Sequence, residues 1–428
     1  MQRLDRKIHV IVIGAGFGGM HAVSVLTKDP TVRVTLIDRH NYHLFQPLLY
    51  QVAVAGLEAP EIAEPVRSML RNHRRARFLL GTVTNIDRTK RIVEIDGRKL
   101  RYDYLIVATG SRSPHPPVSG VPEHTISMKD LPDALAIRDR ILAACEEASR
   151  ERDSERQHKL VHFIMVGGGP TGVELAGMLA EFGRKVVRHD YPELPAGAFR
   201  VSLIDTNPLP LSSLSEKSQR YADRALTQLG VELHTNARVD AVTEGGVRLS
   251  DGRFVPGFTT FWTAGVEGAS VPGLPDAAHG GRLLTTPELN LPGDPRTFVV
   301  GDLNALPDPR TGHPFPQVAQ VAMQQGRTAA ANIIIANWID QDGDARQQPF
   351  RYRDLGNVAT IGRNRAVVEL GPLKLTGFPA WLGWAGLHIV QLVGFRNRVL
   401  VMANWIFNYV AYEFGVRIMY RKPSFPGD

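Results

Sequence analysis

Two glycine clusters, each followed by an acid, are the residues whose types and spacing point most directly to chemistry. Gly14-Ala15-Gly16-Phe17-Gly18-Gly19 follows the apolar run Ile8 to Ile13, and Asp38 closes the next apolar run, Arg33 to Asp38. In a strand, turn, helix, strand unit each glycine has a physical task. The first allows the tight turn, the second lets backbone approach a pyrophosphate, and the third lets the helix pack close to the strand. The free N–H groups of the helix N-terminus suit phosphates, and the acid accepts hydrogen bonds from ribose hydroxyls. Gly167-Gly168-Gly169-Pro170-Thr171-Gly172 repeats the pattern after Leu160 to Val166, with Asp205 closing Arg200 to Asp205. One chain is thereby expected to hold two dinucleotides. Asp205 is followed by Thr206 and Asn207, with no Arg or Lys beside it. A 2′-phosphate would meet a carboxylate without a counter-charge, which favours NADH over NADPH.

Further groups surround these clusters. Glu174 sits two residues past Gly172, in an expected first helical turn where the dipole favours a carboxylate. It reads either as a helix-start acid or as a group aimed at the nicotinamide. Ala108-Thr109-Gly110, Ala264-Gly265 and Gly301-Asp302 each end an apolar run where backbone or carboxylate can meet a nucleotide, although each alone is also an ordinary strand terminus. Gln317, Gln320 and Gln324 fall at i, i+3 and i+7 of a helix expected from Gln317 to about Trp338. Their amides would share one face, either converging on a ligand carbonyl or forming a polar stripe toward water.

The elements that must position these groups follow from periodicity and punctuation. Strands are expected at 8–13, 33–38, 160–166 and 200–205, helices at 20–27, 173–188 and 215–229, and shorter strands at 78–83, 92–95, 104–108, 297–300, 357–361 and 366–370. Asn41 to Pro65 reads as a loop, and the charged stretch Ala148 to Lys159 as a helix end or linker. The expected divisions are 1–120, 121–285, 286–345 and 346–428: a first nucleotide domain, a second, the return to the first, and a C-terminal region. A chain of 428 residues, 43% hydrophobic and 22% charged, can bury a large core and is not disordered. Cys145 is the only cysteine. That excludes an internal disulfide, a CxxC redox pair and a cysteine-rich metal site, and no metal is expected. A formal charge of +7 is modestly basic and does not call for a nucleic-acid partner.

Beyond the nucleotide motifs, the sequence carries Asn41-Tyr42-His43-Leu44-Phe45-Gln46-Pro47-Leu48-Leu49-Tyr50-Gln51-Val52-Ala53 and Ala319-Gln320-Val321-Ala322-Met323-Gln324-Gln325-Gly326. It continues with Leu373 to Phe378, Gly394-Phe395-Arg396-Asn397-Arg398 and Asn404-Trp405. Over nearly its whole length it resembles the type II NADH:quinone oxidoreductases, the single-chain alternative NADH dehydrogenases. The resemblance implies an α/β fold of two dinucleotide-binding domains (duplicated Rossmann-like units) with a C-terminal amphipathic helical tail that anchors to membrane. It implies non-covalent FAD on the first unit, NADH as donor on the second with its C4 against flavin N5, and a quinone as acceptor, without proton pumping. The FAD set is then Gly14, Ala15, Gly16, Phe17, Gly18, Gly19, Asp38, Arg39, His40, Val83, Ala108, Thr109, Gly110, Asp302, Ala319 and Gln320. The NADH set is Gly167, Gly169, Gly172, Glu174, Asp205, Ala264 and Gly265. Glu174, Gln320 and Gln324 are the expected catalytic residues. There are departures: Val54 and Glu58 stand where hydroxyl residues are common, and Tyr412-Glu413-Phe414 replaces a more basic segment.

Trp381, Trp384 and Trp405 lie between apolar stretches joined by Arg396-Asn397-Arg398, a pattern suited to a lipid interface. Phe378 to Gly394 is interrupted by His388 and Gln391, and Val399 to Tyr412 by an Asn404/Asn408 stripe, so both segments suit lying in the interface better than crossing it. Core or dimer-interface helices are the alternative, and a homodimer stays open. The N-terminal apolar run is too short for a signal peptide. The expected location is peripheral, on the cytoplasmic face of the cell membrane. The competing functions are a soluble ferredoxin or rubredoxin reductase and a flavin-binding redox sensor.

Overall fold

The computed structural model describes residues 7–114, 116–342, 346–411 and 416–426. It divides into two compact units: the residues up to His43 with Glu64–Arg112 and Val266–Asp354, and Leu44–Ala63 with Ser113–Gly265 and the residues from Leu355 onward. These cuts differ from the expected divisions. Leu44–Ala63 belongs with the second unit, and the C-terminal region groups with it as well.

In the first unit the runs Ile8–Ile13, Val32–Asp38, Ala76–Leu80, Tyr104–Val107 and Asp294–Val299 form one parallel sheet, bordered by the short antiparallel strand Asn290–Leu291. The central strands read as almost continuous apolar sequence because both faces of the sheet are covered. On one face the Phe17–Leu26 and Ala319–Asp342 helices pack together over Val10, Val12, Leu36 and Phe298. On the other, Ile11, Ile13, Ile37 and Leu105 meet Ile86, Val93 and Ile95 of the small antiparallel sheet Val83–Asp87, Ile92–Ile95 and Arg98–Arg101.

The second unit repeats the plan. Its five-stranded parallel sheet runs Thr125–Ser127, Thr259–Trp262, His162–Val166, Arg200–Ile204 and Val231–His234. The Pro170–Phe182 helix and the Glu216–Gln228 helix join strands in the second half of this order. An antiparallel sheet, Asn357–Thr360, Ala366–Leu370 and Leu373–Thr376, precedes the helices Phe378–Gln391 and Phe395–Ala411. This is the expected α/β architecture of duplicated dinucleotide-binding units.

Local differences have identifiable causes. The first glycine helix starts at Phe17, not Met20, with Gly16 as its N-cap, and the second starts at Pro170 rather than Val173. Proline is tolerated there because the first helical N–H has no intrahelical partner. The expected loop Asn41 to Pro65 contains the short helices Leu49–Ala53 and Ala59–Ile62. The charged stretch 148–159 lies inside the second unit. It comprises the end of a helix, Leu131–Arg150, and the start of another, Ser154–Leu160, capped by Asp153, whose carboxylate accepts from Glu155 N at 2.9 Å. The Leu131–Arg150 helix was absent from the sequence reading. Asp130 and Asp133 close a reciprocal cap at its start, and Ile137, Ile141 and Cys145 recur every fourth residue on its buried face.

Candidate functional site

In the first unit, Gly14 has φ of 103°, and a Cβ there would lie 2.2 Å from the Ala108 carbonyl oxygen. Only glycine fits this turn. A Cβ on Gly16 would meet nothing within 4 Å, whereas one on Gly19 would lie 1.8 Å from the Gly14 oxygen. Backbone is thus bare at the position of the pyrophosphate-facing glycine and tightly packed at the helix-to-strand glycine. Gly18 serves a different contact. A Cβ on Gly326 would lie 2.1 Å from the Gly18 oxygen, so the Ala319–Asp342 helix rests directly on glycine backbone.

Asp38 reaches back to the loop. Its carboxylate accepts from Ala15 N at 2.6 Å and from His40 N at 2.8 Å. The acid therefore fixes the turn and still retains acceptor capacity for a ribose. His40 stacks on Tyr42, with centroids 5.1 Å apart. Val83 opens the small sheet. His43, from the Tyr42 to Ala53 segment that the family resemblance places over the flavin, is buried and donates from Nδ1 to the Ala15 carbonyl at 2.7 Å, its ring edge against Phe17. Burial holds its pKa below the ordinary value.

Two other strand ends complete this unit's site. Thr109 donates its hydroxyl to Ala269 O at 2.6 Å, beside Gly110 at φ 72°. Asp302 accepts from the Ser111 hydroxyl, and its carbonyl accepts from Gln317 Nε2 at 3.0 Å. Gln325 is a residue that the sequence reading missed. Fully buried, it accepts from Gly301 N at 2.7 Å and donates to Asn304 Oδ1 at 3.2 Å, so it locks the turn that carries Asp302.

The glutamine stripe requires correction. The helix begins at Ala319, so Gln317 precedes it and the three amides do not form one helical row. Gln324 donates to Arg353 O at 2.9 Å and accepts from Arg353 N at 3.0 Å. Both ends of its amide are engaged with backbone.

The second unit builds the same device. Gly167 has φ of 115°, and a Cβ on it would lie 2.7 Å from Ala264 N. Gly169 is bare within 4 Å, and a Cβ on Gly172 would lie 1.9 Å from the Gly167 oxygen. Asp205 accepts from Gly168 N, from Asn207 N at 2.6 Å and from Asn207 Nδ2 at 2.8 Å. Ala264 accepts from the Trp262 indole at 3.0 Å, and Gly265 follows at φ 74°.

Glu174 differs from the expectation of a dipole-stabilised helix-start acid. It is the fifth residue of the Pro170–Phe182 helix, beyond the first turn. Desolvation pushes its pKa up to about 8, opposed only by a long hydrogen bond from Thr360 N at 3.4 Å. With Gly177 and Glu181 it forms a stripe toward the C-terminal sheet. A Cβ on Gly177 would lie 2.8 Å from Gly362 N, and Glu181 accepts from Arg363 N at 2.9 Å. Burial raises the Glu181 carboxyl as well. Tyr50, buried within electrostatic reach of both acids, accepts from Gln51 Nε2 at 2.9 Å, and its hydroxyl is held protonated. Of the two family departures, Val54 is buried at the end of the Leu49–Ala53 helix, and Glu58 lies 3.7 Å from Arg138.

The tail packs differently from the aromatic-anchor reading. Trp384 is buried against Trp405, with centroids 5.1 Å apart, and Trp405 donates to Gln51 Oε1 at 2.9 Å. His388 also faces inward, donating to Trp384 O at 2.7 Å, and burial lowers its pKa to about 4. Asn404 donates to Glu61. Trp381, part-exposed and stacked on exposed Phe378, stays outward, and among the described side chains Leu382, Leu387, Val390, Val399, Met402 and Ile406 are exposed with it. The side chain of Asn408 and the segment Tyr412-Glu413-Phe414 lie outside the described residues. Among the described residues no helix is long and apolar enough to cross a membrane, and no group of His, Cys, Asp and Glu is placed to hold a metal. Cys145 is buried, and burial raises its thiol pKa.

Residues 8–326 match the family model of the pyridine nucleotide-disulphide oxidoreductases. The type II NADH:quinone oxidoreductase Ndh of Mycobacterium tuberculosis is 36% identical over 424 residues, covering 96% of this chain and 90% of the relative. The fold superposes on NDH2 from Plasmodium falciparum, solved in complex with NADH, with a TM-score of 0.86 at 21% identity, covering 97% of this chain and all of that one. It also superposes on the sulfide:quinone oxidoreductase of Aquifex aeolicus, with a TM-score of 0.71 at 20% identity over 98% and 99% of the two chains. Fold alone therefore does not choose the electron donor. The lone, buried Cys145 is unsuited to sulfide chemistry, and the bare glycines backed by carboxylate-locked turns fit two dinucleotides. The chain belongs to the pyridine nucleotide-disulphide oxidoreductase family and, within it, to the type II NADH:quinone oxidoreductases.

Proposed function

We propose that this protein transfers two electrons from NADH to a membrane quinone through non-covalently bound FAD, without pumping protons. The observation that carries the reading is the paired fingerprint, in which Asp38 and Asp205 each fix a turn whose middle glycine offers bare backbone. Gly14 to Gly19, Asp38, the Thr109 turn and Asp302 hold FAD; Gly167 to Gly172, Asp205 and the Ala264-Gly265 turn hold NADH. When bound, FAD supplies a two-electron centre that NADH reduces and quinone reoxidises. Asp205, whose neighbour Asn207 supplies no positive charge, excludes a 2′-phosphate, so NADH is preferred over NADPH.

Glu174 holds a proton at its carboxyl near neutral pH because it is desolvated, and Tyr50 holds one at its hydroxyl. These are the groups suited to proton exchange during turnover. Ala319 and Gln320, at the start of the Ala319–Asp342 helix, would hold the flavin as the family resemblance implies, and Gln324 reaches substrate only by releasing the Arg353 backbone.

The outward apolar faces of Phe378–Gln391 and Phe395–Ala411, with Arg396 and Arg398 exposed at their junction, seat the protein on the cytoplasmic face of the membrane without spanning it. Whether two copies pair is read from sedimentation. The function is tested by mixing purified, FAD-loaded protein with NADH and a short-chain quinone. NADH oxidation that requires the quinone is expected. Oxidation only with a ferredoxin, or none with either acceptor, would overturn the reading.

A further inference from the structure

The parallel sheet of the first unit has a second end, opposite the glycine loop, where a cleft of about 520 Å³ opens among Lys7, His9, Arg33, Val34, Thr35, Arg74, Arg75, Ala76 and Arg77. Five of these side chains are permanently cationic and none is acidic. We propose that this cleft binds an oligophosphate anion, with three or more negative charges held close together, at a site distinct from the dinucleotide loops.

Strand geometry assembles the site. Val34 pairs with Ala76, Thr35 with Arg77, and His9 with Arg33. By the two-residue alternation of strands, His9, Arg33, Thr35, Arg75 and Arg77 share one face of the sheet. Further along the same face stand Ile11, Ile13, Ile37 and Leu79, which belong to the apolar core. The face thus turns from core to cationic toward the amino ends of its strands. His9 is five residues before Gly14, about 16 Å along an extended strand, so the cleft does not share ligands with the glycine loop.

Two arginines are held in place. Arg77 Nε donates to the Thr35 hydroxyl at 2.9 Å, which in turn contacts His9 Nε2 at 2.7 Å. Arg75 donates to Thr27 O at 3.3 Å, with Asp29 nearby. Lys7, Arg33 and Arg74 are exposed and make no ion pair among the described residues. Five cations with only Asp29 and Asp103 near them repel one another, and this repulsion is relieved by a multiply charged anion. Burial, with the Arg77 and Arg33 charges, lowers the His9 pKa against the opposing pull of the Arg101 carbonyl and Asp103. Guanidinium groups suit phosphate oxygens through paired N–H donors. A free oligophosphate and the headgroup of a polyanionic lipid offer the same chemistry.

The test uses the FAD-loaded full chain and the variant Arg33→Glu/Arg74→Glu, with NADH-dependent flavin reduction confirming that both are folded. Binding of inorganic tripolyphosphate is measured by calorimetry, and binding of vesicles containing anionic lipid by co-sedimentation, both at physiological salt. Saturable tripolyphosphate binding that weakens at least tenfold in the variant supports the site with a soluble ligand. Vesicle binding that falls at least tenfold in the variant, without tripolyphosphate binding, supports it with a lipid headgroup. No binding of either probe, or binding that the charge reversal leaves unchanged, overturns the proposal.

Discussion

The two glycine turns are built alike, yet the helices that follow them are not. Asp38 and Asp205 each reach back to the N–H after the first glycine, and each unit leaves its middle glycine bare. In the first unit the helix then packs through Gly18 onto Gly326, a contact without charge. In the second it presents Glu174 and Glu181 to the C-terminal sheet, where desolvation raises both. The two turns share the features that suit a dinucleotide, while the next two helical turns differ in what they pack against. One unit places a helix tightly; the other buries two carboxyls whose pKa values burial raises.

Exchanging the turns' first glycines should produce the largest effects and should separate the units. Gly14→Ala places a Cβ against Ala108 O at a φ that L-residues avoid, and the purified variant should lose bound flavin, seen as loss of the yellow absorbance. Gly167→Ala should keep its flavin but bind NADH at least 100-fold more weakly, seen as a higher NADH concentration for half-maximal flavin reduction. If both variants lost flavin equally, the division of labour between the units would fail.

The acids give the next contrast. Asp205→Ala should weaken NADH about tenfold to 100-fold, as expected for losing charge-assisted hydrogen bonds, and should narrow the preference over NADPH. FAD retention should be unaffected. Asp38→Ala should do the converse.

Glu174 ties the difference between the helices to pH. Its folded pKa of about 8 lies above the ordinary 4.5, so the folded state holds the proton more tightly than the unfolded chain. Its contribution to stability is complete below pH 4.5 and is lost as pH rises toward 8. Glu174→Gln should therefore gain stability relative to the parent across that window, by up to about 5 kcal/mol at pH 9. Thermal melts at pH 5 and pH 9 read this directly. An unchanged gap between the two proteins would place the carboxyl in water.

The smallest effect concerns how the C-terminal segment is fastened within the second unit. Asp139, buried on the Leu131–Arg150 helix, accepts from Tyr420 N and Arg421 N, both at 2.9 Å, while Tyr420 covers the buried Arg138 guanidinium. Asp139→Asn retains only one good acceptor and should cost about 1–2 kcal/mol. Faster trimming of the C-terminus in limited proteolysis would show it.

These contrasts also mark what could be read from the chain itself. Both turns were legible because glycine spacing, strand and closing acid lie within a short stretch, and the physics that joins them is local. The placement of Glu174 was not, because the strand whose Thr360 N–H reaches its buried carboxyl lies almost 200 residues away in sequence. Gln325 escaped for the same reason: its partner, Gly301, is brought to it only by the fold. The tail's tryptophans looked like interface anchors from composition, but Trp384 and Trp405 pack on each other and on Gln51. The Leu131–Arg150 helix did have a local signal, the Asp130/Asp133 cap, which the alternation of charged and apolar residues obscured.

If two sister turns hold an electron donor and a flavin in one chain, electrons must pass from NADH through the flavin to a quinone. This passage is tested most directly by anaerobic absorbance spectroscopy of the purified protein, with stoichiometric NADH added first and a quinone second. The account predicts that the flavin bands bleach with NADH and return with quinone, and that Gly167→Ala blocks the first step at the same NADH concentration. A protein that stays colourless after incubation with FAD, or one whose bleached bands do not recover with any quinone, would contradict it.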